Sequence, residues 1–362
     1  MGHADSASAT QARDLLVDTT ARIFRDLAEP QAVLHAKDDS WKKKLWGALE
    51  EAGLTRAWVP ESLEGAGASL ADGFEVLRVA GSFAVAVPLA ETLLAGWLLS
   101  QAGLRVPAGA LTVAPVREGD NLLFDSKGNV TGRAQAVPFA RDADHIGFIA
   151  QKVQGSVVAL VPRANCRIEP AENIAGEPRD AVVCVGAKPV AIADAPAYTI
   201  AENLRTVGAA MRAVQMSGAL QAILERSVAY ANERVAFERQ ISKFQVIQHN
   251  LARLAGESAA ALAASGSAAD AIEHAQSFDE TVLLEVASAK IRVGEAATEG
   301  AAIAHQVHGA IGFSGEHALH RFTQRLWAWR DDFGTESDWA VRLGKLVATK
   351  GADALWPMLA AR

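Results

Sequence analysis

The sequence predicts an α+β fold in the order helices, strands, helices, and three observations carry that prediction. Apolar residues recur at helical spacing through residues 10 to 105. Between 106 and 198 the chain changes to short strand-like runs separated by Asp, Gly and Pro turns. From Thr199 onward it is helical again and rich in Ala and Leu. These shifts predict a helical domain over 1–108, a middle β domain over 109–198 and a C-terminal helical domain over 199–362.

Each element has a local reason. Leu15, Leu16, Ile23, Phe24 and Leu27 fall on one helical face, and Trp41, Leu45 and Leu49 continue that pattern toward Gly53. Residues 58–67 carry Pro60, Gly65 and Gly67 and read as a loop. Two apolar helices follow, over Asp72 to Gly81 and Pro88 to Ala102. In the middle region 122–124, 147–150, 157–161 and 181–185 read as strands of a small antiparallel domain. The helices over Ala209 to Leu224 and Val282 to Val293 are apolar on more than one face. That predicts burial between helices and at subunit contacts, hence an oligomer.

Composition excludes several functions. Half of the 362 residues are apolar, enough for a large core. The net charge is −7 with cations scattered, so no basic face for nucleic acid is expected. No apolar run reaches membrane-span length, and the N-terminus has no signal-peptide core, so a cytoplasmic protein is expected. Cys166 and Cys184 are the only cysteines; a single pair in a chain this long says little about disulfides, and a reducing compartment is the default. His305-x-x-His308 and His317-x-x-His320 each place two imidazoles on one helical face. With no HExxH and no Cys nearby, packing suffices and no metal is expected. The stretch from Gly65 to Leu70 lacks the last glycine of a dinucleotide fingerprint and follows no strand.

The sharpest motif is Tyr230-x3-Arg234-x-x-Phe237-Glu238-x-x-Ile241-x-x-Phe244-Gln245-x-x-Gln248. A second runs Gln306-x-x-Gly309-Ala310-x-Gly312-Phe313, and a third is Phe333-Gly334-Thr335. Pro60-Glu61 followed by Gly65-Ala66-Gly67 is a fourth. In order and spacing these resemble the acyl-CoA dehydrogenase family along the whole chain. Glu238, Ala310, Phe333 and Glu64 stand where the family usually has Gly, Gly, Glu and Gly.

The resemblance implies an N-terminal helical domain, a middle β-barrel or sandwich and a C-terminal four-helix bundle. It implies FAD as cofactor, an acyl-CoA thioester as substrate and an electron-transferring flavoprotein as acceptor. It assigns cofactor contacts to Arg234, Phe237, Phe244, Gln245, Gln306, Gly309 and Thr335. These residue types suit a dinucleotide. An Arg fork matches a pyrophosphate, an aromatic ring packs on a flat base, and glycine lets backbone approach phosphate.

The resemblance also exposes losses. The usual base, a Glu, is replaced by Phe333, and the minority base position falls at Gly208 with Ala209 beside it. Asp332 is a weak candidate base; it and Asp331 are expected instead to be solvated or paired with Arg330 or Arg325. The family's flavin-lining β-domain loop and Trp strand are unreadable between Leu111 and Tyr198. In the family one subunit supplies those parts, while its neighbour reaches across with the Arg-x-x-Phe and Gln-x-x-Gly motifs. Here the reaching set persists and the other is largely lost. This resembles the base-lacking subunit of α2β2 bacterial acyl-CoA dehydrogenases, some of which act on steroid side chains and other bulky acyl groups. A homomeric enzyme with a relocated base and a non-catalytic scaffold are the alternatives.

Overall fold

The computed structural model describes residues 2–360, with side chains from Gln11 onward except Ala12. Five helices come first: α1 (Gly2–Ala28), α2 (Pro30–Leu34), α3 (Ser40–Glu51), α4 (Leu70–Gly81) and α5 (Leu89–Gln101). Ser69 starts α4 by accepting a hydrogen bond from the Asp72 amide, the ordinary N-cap device. Helix α5 is buried on nearly every face, which places Glu91 in the interior alongside its leucines.

Eight strands follow: β1 (Leu111–Ala114), β2 (Asn121–Phe124), β3 (Val130–Pro138), β4 (His145–Gln151), β5 (Ser156–Pro162), β6 (Arg167–Glu169), β7 (Arg179–Ala187) and β8 (Ala191–Asp194). They form one sheet in the order β6-β7-β3-β2-β4-β5-β8, with β1 also paired to β4. The expectation of an antiparallel domain needs correcting, because both β1 and β2 pair with β4 in parallel. Two register shifts interrupt the β3–β7 ladder, between Val130 and Gly132 and between Ala134 and Val137. Such bulges bend and twist a sheet.

The last region contains α6 (Ala201–Glu233), α7 (Gln245–Glu273), α8 (Glu280–His308), α9 (Leu319–Asp331), α10 (Glu336–Lys350) and α11 (Ala352–Ala360). A hairpin of β9 (Val235–Ala236) and β10 (Arg239–Gln240) joins α6 to α7. Helix α6 is the axis of this region. From Asn203 to Ile223 it is almost wholly buried, with neighbours on every side as its apolar pattern predicts. Its 33 residues make it about 50 Å long at 1.5 Å per residue. Among the described residues, no helix is long and apolar enough to cross a membrane.

Candidate functional site

The predicted residues separate into two groups at opposite ends of α6. Gly208 lies in its third turn, and Arg234 is its C-cap. They are 26 residues apart in sequence, which is about 39 Å along the helix.

At the inner end, Phe333 follows α9 in a left-handed conformation, φ 56°. Its ring is 4 % exposed and lies against α6 at Gly208. A Cβ built on Gly208 would stand 2.4–2.6 Å from three atoms of that ring. Only glycine at 208 accommodates Phe333, so the two positions without a base are complementary parts of one packing contact. The Trp339 indole N–H donates to the Phe333 carbonyl at 3.2 Å and holds the loop in place. Thr335 begins α10 in a reciprocal capping box with Asp338, so its hydroxyl is engaged within the chain.

Asp332 lies beneath this plug. It accepts a bidentate pair from Arg179, at 2.9 and 2.6 Å, and a third bond from Arg212 Nε at 2.8 Å. Arg212 also pairs with Glu91 of α5 and donates to Gln215. Arg179 reaches Glu177, whose carboxylate also pairs with Arg325 at 2.9 Å and accepts from the Trp329 indole at 3.0 Å. Lys290 of α8 donates to the carbonyls of Trp329 and Arg330 at the end of α9. This buried network joins α5, β7, α6, α8 and α9.

Burial alone would raise the pKa of Asp332, but Arg179 and Arg212 outweigh it and hold the carboxyl below its ordinary value. Glu177 is lowered by the same balance, chiefly through Arg325 and Arg179. Burial brings Lys290 down to about 8. A general base works best with a pKa near the operating pH and a free lone pair. Asp332 has neither, and its partners are Arg179 and Arg212 rather than the expected Arg330 or Arg325. Asp331 lies 3.7 Å from Arg330 and is exposed. The geometry therefore argues against Asp332 as a base.

Between the sheet and α9 is a cavity of about 410 Å³, walled by Ala136 and Pro138 of β3, Arg179, Trp327, Asp332 and Phe333. The sheet presents no tryptophan to it. On the other side of Phe333 a hollow of about 680 Å³ carries Arg117, Arg205, Arg342 and Lys345 together with Thr335.

The outer end has the opposite character. Arg234 is exposed, and its guanidinium has no partner among the described residues. The two-residue turn between β9 and β10 is Phe237-Glu238, both left-handed at φ 50° and 65°. Such turns match the strand twist but favour Asn and Gly. Phe237 projects at its tip, 90 % exposed, 6.2 Å from the Phe244 ring, and Arg239 lies over that ring at 4.1 Å. Gln245 opens α7 in solvent.

Gln306 is exposed in the last turn of α8, and Gly309 ends that helix at φ 62°, ψ −144°, with open space where a Cβ would be. A stack of Tyr230 on His308 at 4.5 Å ties this terminus to the last turn of α6. Burial lowers His308 to about 4, and its ring packs as a neutral core member hydrogen-bonded to the Ala304 carbonyl. His305 meets the Thr323 hydroxyl at 2.9 Å and stacks on exposed Phe313.

The structure thus gathers Arg234, Phe237, Phe244, Gln245, Gln306 and Gly309 at one end, and Gly208, Asp332, Phe333 and Thr335 at the other. Sequence reasoning missed the network of Glu91, Glu177, Arg179, Arg212 and Lys290. Single charges inside the apolar helical runs at 91, 212 and 290 were the available signal, since such charges require buried partners.

A family model described as "Acyl-CoA dehydrogenase, C-terminal domain" matches residues 198–335. The acyl-CoA dehydrogenase IpdE2 of Mycobacterium tuberculosis is 29% identical over 320 residues, covering 86% of this chain and 90% of that protein. IpdE2 of Mycolicibacterium smegmatis is 27% identical, with 87% and 92% covered. Among solved structures, the ChsE4-ChsE5 complex from Mycobacterium tuberculosis superposes with a TM-score of 0.84 at 23% identity, over 94% of this chain and 98% of that one. That likeness extends to the fold.

Proposed function

We propose that this chain is a member of the acyl-CoA dehydrogenase family and serves in a heteromeric, FAD-dependent acyl-CoA dehydrogenase by completing a partner's flavin site. The observation that carries the proposal is the separation along α6. Gly208 and Phe333 fill the place of a base, while the cofactor-contacting residues stand exposed about 39 Å away. No single dinucleotide bound in this chain's own cleft spans that distance, so Arg234 and Gly309 serve a cofactor seated in another chain.

The outer end fits FAD in its donor chemistry. The free Arg234 guanidinium offers two parallel N–H groups to a phosphate. The space over Gly309 lets backbone approach the same group, as any side chain there would prevent. Phe237 offers a flat apolar face to an aromatic ring, with Phe244 beside it under the Arg239 guanidinium. Gln306 and Gln245 provide neutral donors and acceptors beside them. When bound, FAD supplies the oxidant for α,β-dehydrogenation of the acyl-CoA thioester. This chain contributes binding and orientation, and the proton-abstracting carboxylate comes from the partner. The ChsE4-ChsE5 structure, a complex of two proteins, favours a two-gene assembly.

Expressing the chain alone and together with a second acyl-CoA-dehydrogenase-like subunit tests this. Flavin and activity appear only in the co-expressed complex. An active assembly of this chain alone, with flavin in every copy, would sink the proposal.

A further inference from the structure

We infer that Cys166 and Cys184 form a reversible intrachain disulfide by exchange with a small-molecule disulfide such as oxidised glutathione. Cys166 immediately precedes β6, and Cys184 lies within its antiparallel neighbour β7. Arg167 pairs with Val183, so the next rung outward is Cys166 opposite Cys184. Their sulfurs are 3.5 Å apart, and both are free thiols. Directly opposed residues of an antiparallel ladder have Cα atoms about 4.5–5.5 Å apart, within the range a disulfide spans. No strand has to move for the bond to close.

The two thiols differ in the way exchange needs. Cys184 is 1 % exposed, and Cys166 is partly open to solvent. Either sulfur can donate in the S–H···S contact, so solvent access decides the order: Cys166 meets the solution, and burial pushes the Cys184 thiol up and keeps it protonated. Exchange then runs in order. The Cys166 thiolate attacks the oxidised glutathione, breaking its S–S bond, and one glutathione thiolate leaves. Cys184 gives up its proton to solvent, and its sulfur displaces the second glutathione from Cys166. One small disulfide is reduced to two thiols, and two protein thiols become one disulfide.

The position has a consequence for the cleft. The segment closed by the bond includes Glu172, Asn173 and Ile174, which line the cavity beside Phe333, and Glu177 and Arg179 of the buried network. The Asn165 amide already donates to the Lys188 carbonyl at 2.9 Å, so one non-covalent tie closes the same end. Oxidation adds a covalent one to the frame of the cleft.

Intact-mass analysis of the purified full-length chain, in its native assembly, tests the inference. The protein is equilibrated with reduced and oxidised glutathione mixtures and quenched with a maleimide. On oxidation the chain is expected to lose two hydrogens, carry no glutathione and take up no maleimide. Its melting temperature rises, and reduction reverses all of these. Cys184→Ser is expected to trap one glutathione on Cys166. Wild-type protein that retains glutathione, that still binds maleimide at both cysteines after oxidation, or that cross-links between chains on a non-reducing gel overturns the inference. These readouts on the wild-type protein are independent of whether Cys184→Ser folds.

Discussion

Near its start, helix α6 packs Gly208 under Phe333 and sets Arg212 between Glu91 and Asp332; at its end, Arg234 stands in solvent with no carboxylate beside it among the described residues. The same side-chain type is used in two ways. Arg212 is neutralised by its own chain, and removing a partner would strand a buried charge. Arg234 is left unneutralised, so it costs the fold little and remains available to an anion. A charge satisfied internally belongs to structure, while an unpaired charge beside an exposed aromatic and an open glycine belongs to recognition. On the proposed function, that contrast separates the structural part of the chain from the part that meets the cofactor.

The largest expected effect tests the inner region. Asp332→Asn removes the counter-charge of Arg179 and Arg212 and should cost about 3–5 kcal/mol of stability in denaturant titration. The pH dependence follows from the sign of the shift. The folded pKa of Asp332 lies below its ordinary value, so its stabilisation is present above about pH 4 and lost as pH falls through the folded value. Asp332→Asn should therefore flatten the acid limb of the stability profile. A variant as stable as wild type would show that the network is not holding this cleft together.

Arg234→Ala tests the outer region. With no partner among the described residues, its loss should change stability by no more than about 0.5 kcal/mol. Loss of charge-assisted hydrogen bonds to phosphate should weaken flavin retention in the complex by about 10- to 100-fold, read by fluorescence of released flavin. Equal flavin retention by the variant would remove the outer end from the cofactor site.

Restoring a carboxylate at 208 sharpens the contrast. Gly208→Glu alone should destabilise by about 1–3 kcal/mol, since its Cβ meets the Phe333 ring. Adding Phe333→Ala should recover part of that, with a coupling of about 0.5–3 kcal/mol in a double-mutant cycle. Additive effects would mean that the two side chains do not share the space.

The smallest effect concerns the hairpin. Glu238 holds a left-handed turn position that glycine adopts without strain, and a non-glycine residue there costs about 1–2 kcal/mol. Part of that is offset by the greater freedom of glycine in the unfolded chain. Glu238→Gly should thus stabilise by under about 1 kcal/mol, measured by thermal unfolding.

Much of this was legible in the sequence where the signal is local. Helices expected over Asp72 to Gly81 and Pro88 to Ala102 correspond to α4 and α5, because an apolar helical run beginning at a cap or a proline is self-contained. Strand β1 is four buried residues long, too short for periodicity to report. Strand β3 was hidden because its shifts at Gly132 and Ala136 break the alternation. The parallel pairing of β1 and β2 with β4 has no local mark at all. The site divides in the same way. Arg234, Phe237, Gln306 and Gly309 fall in compact motifs, whereas the buried network around Asp332 draws on five elements that meet only once the chain folds.

The central claim, that this chain completes a flavin site belonging to another chain, is tested most directly by the flavin stoichiometry of the active assembly. Amino-acid analysis combined with flavin absorbance should give one flavin for each pair of unlike chains, with none when this chain is purified alone. One flavin per copy of this chain, retained by an active assembly without a second subunit, would contradict it.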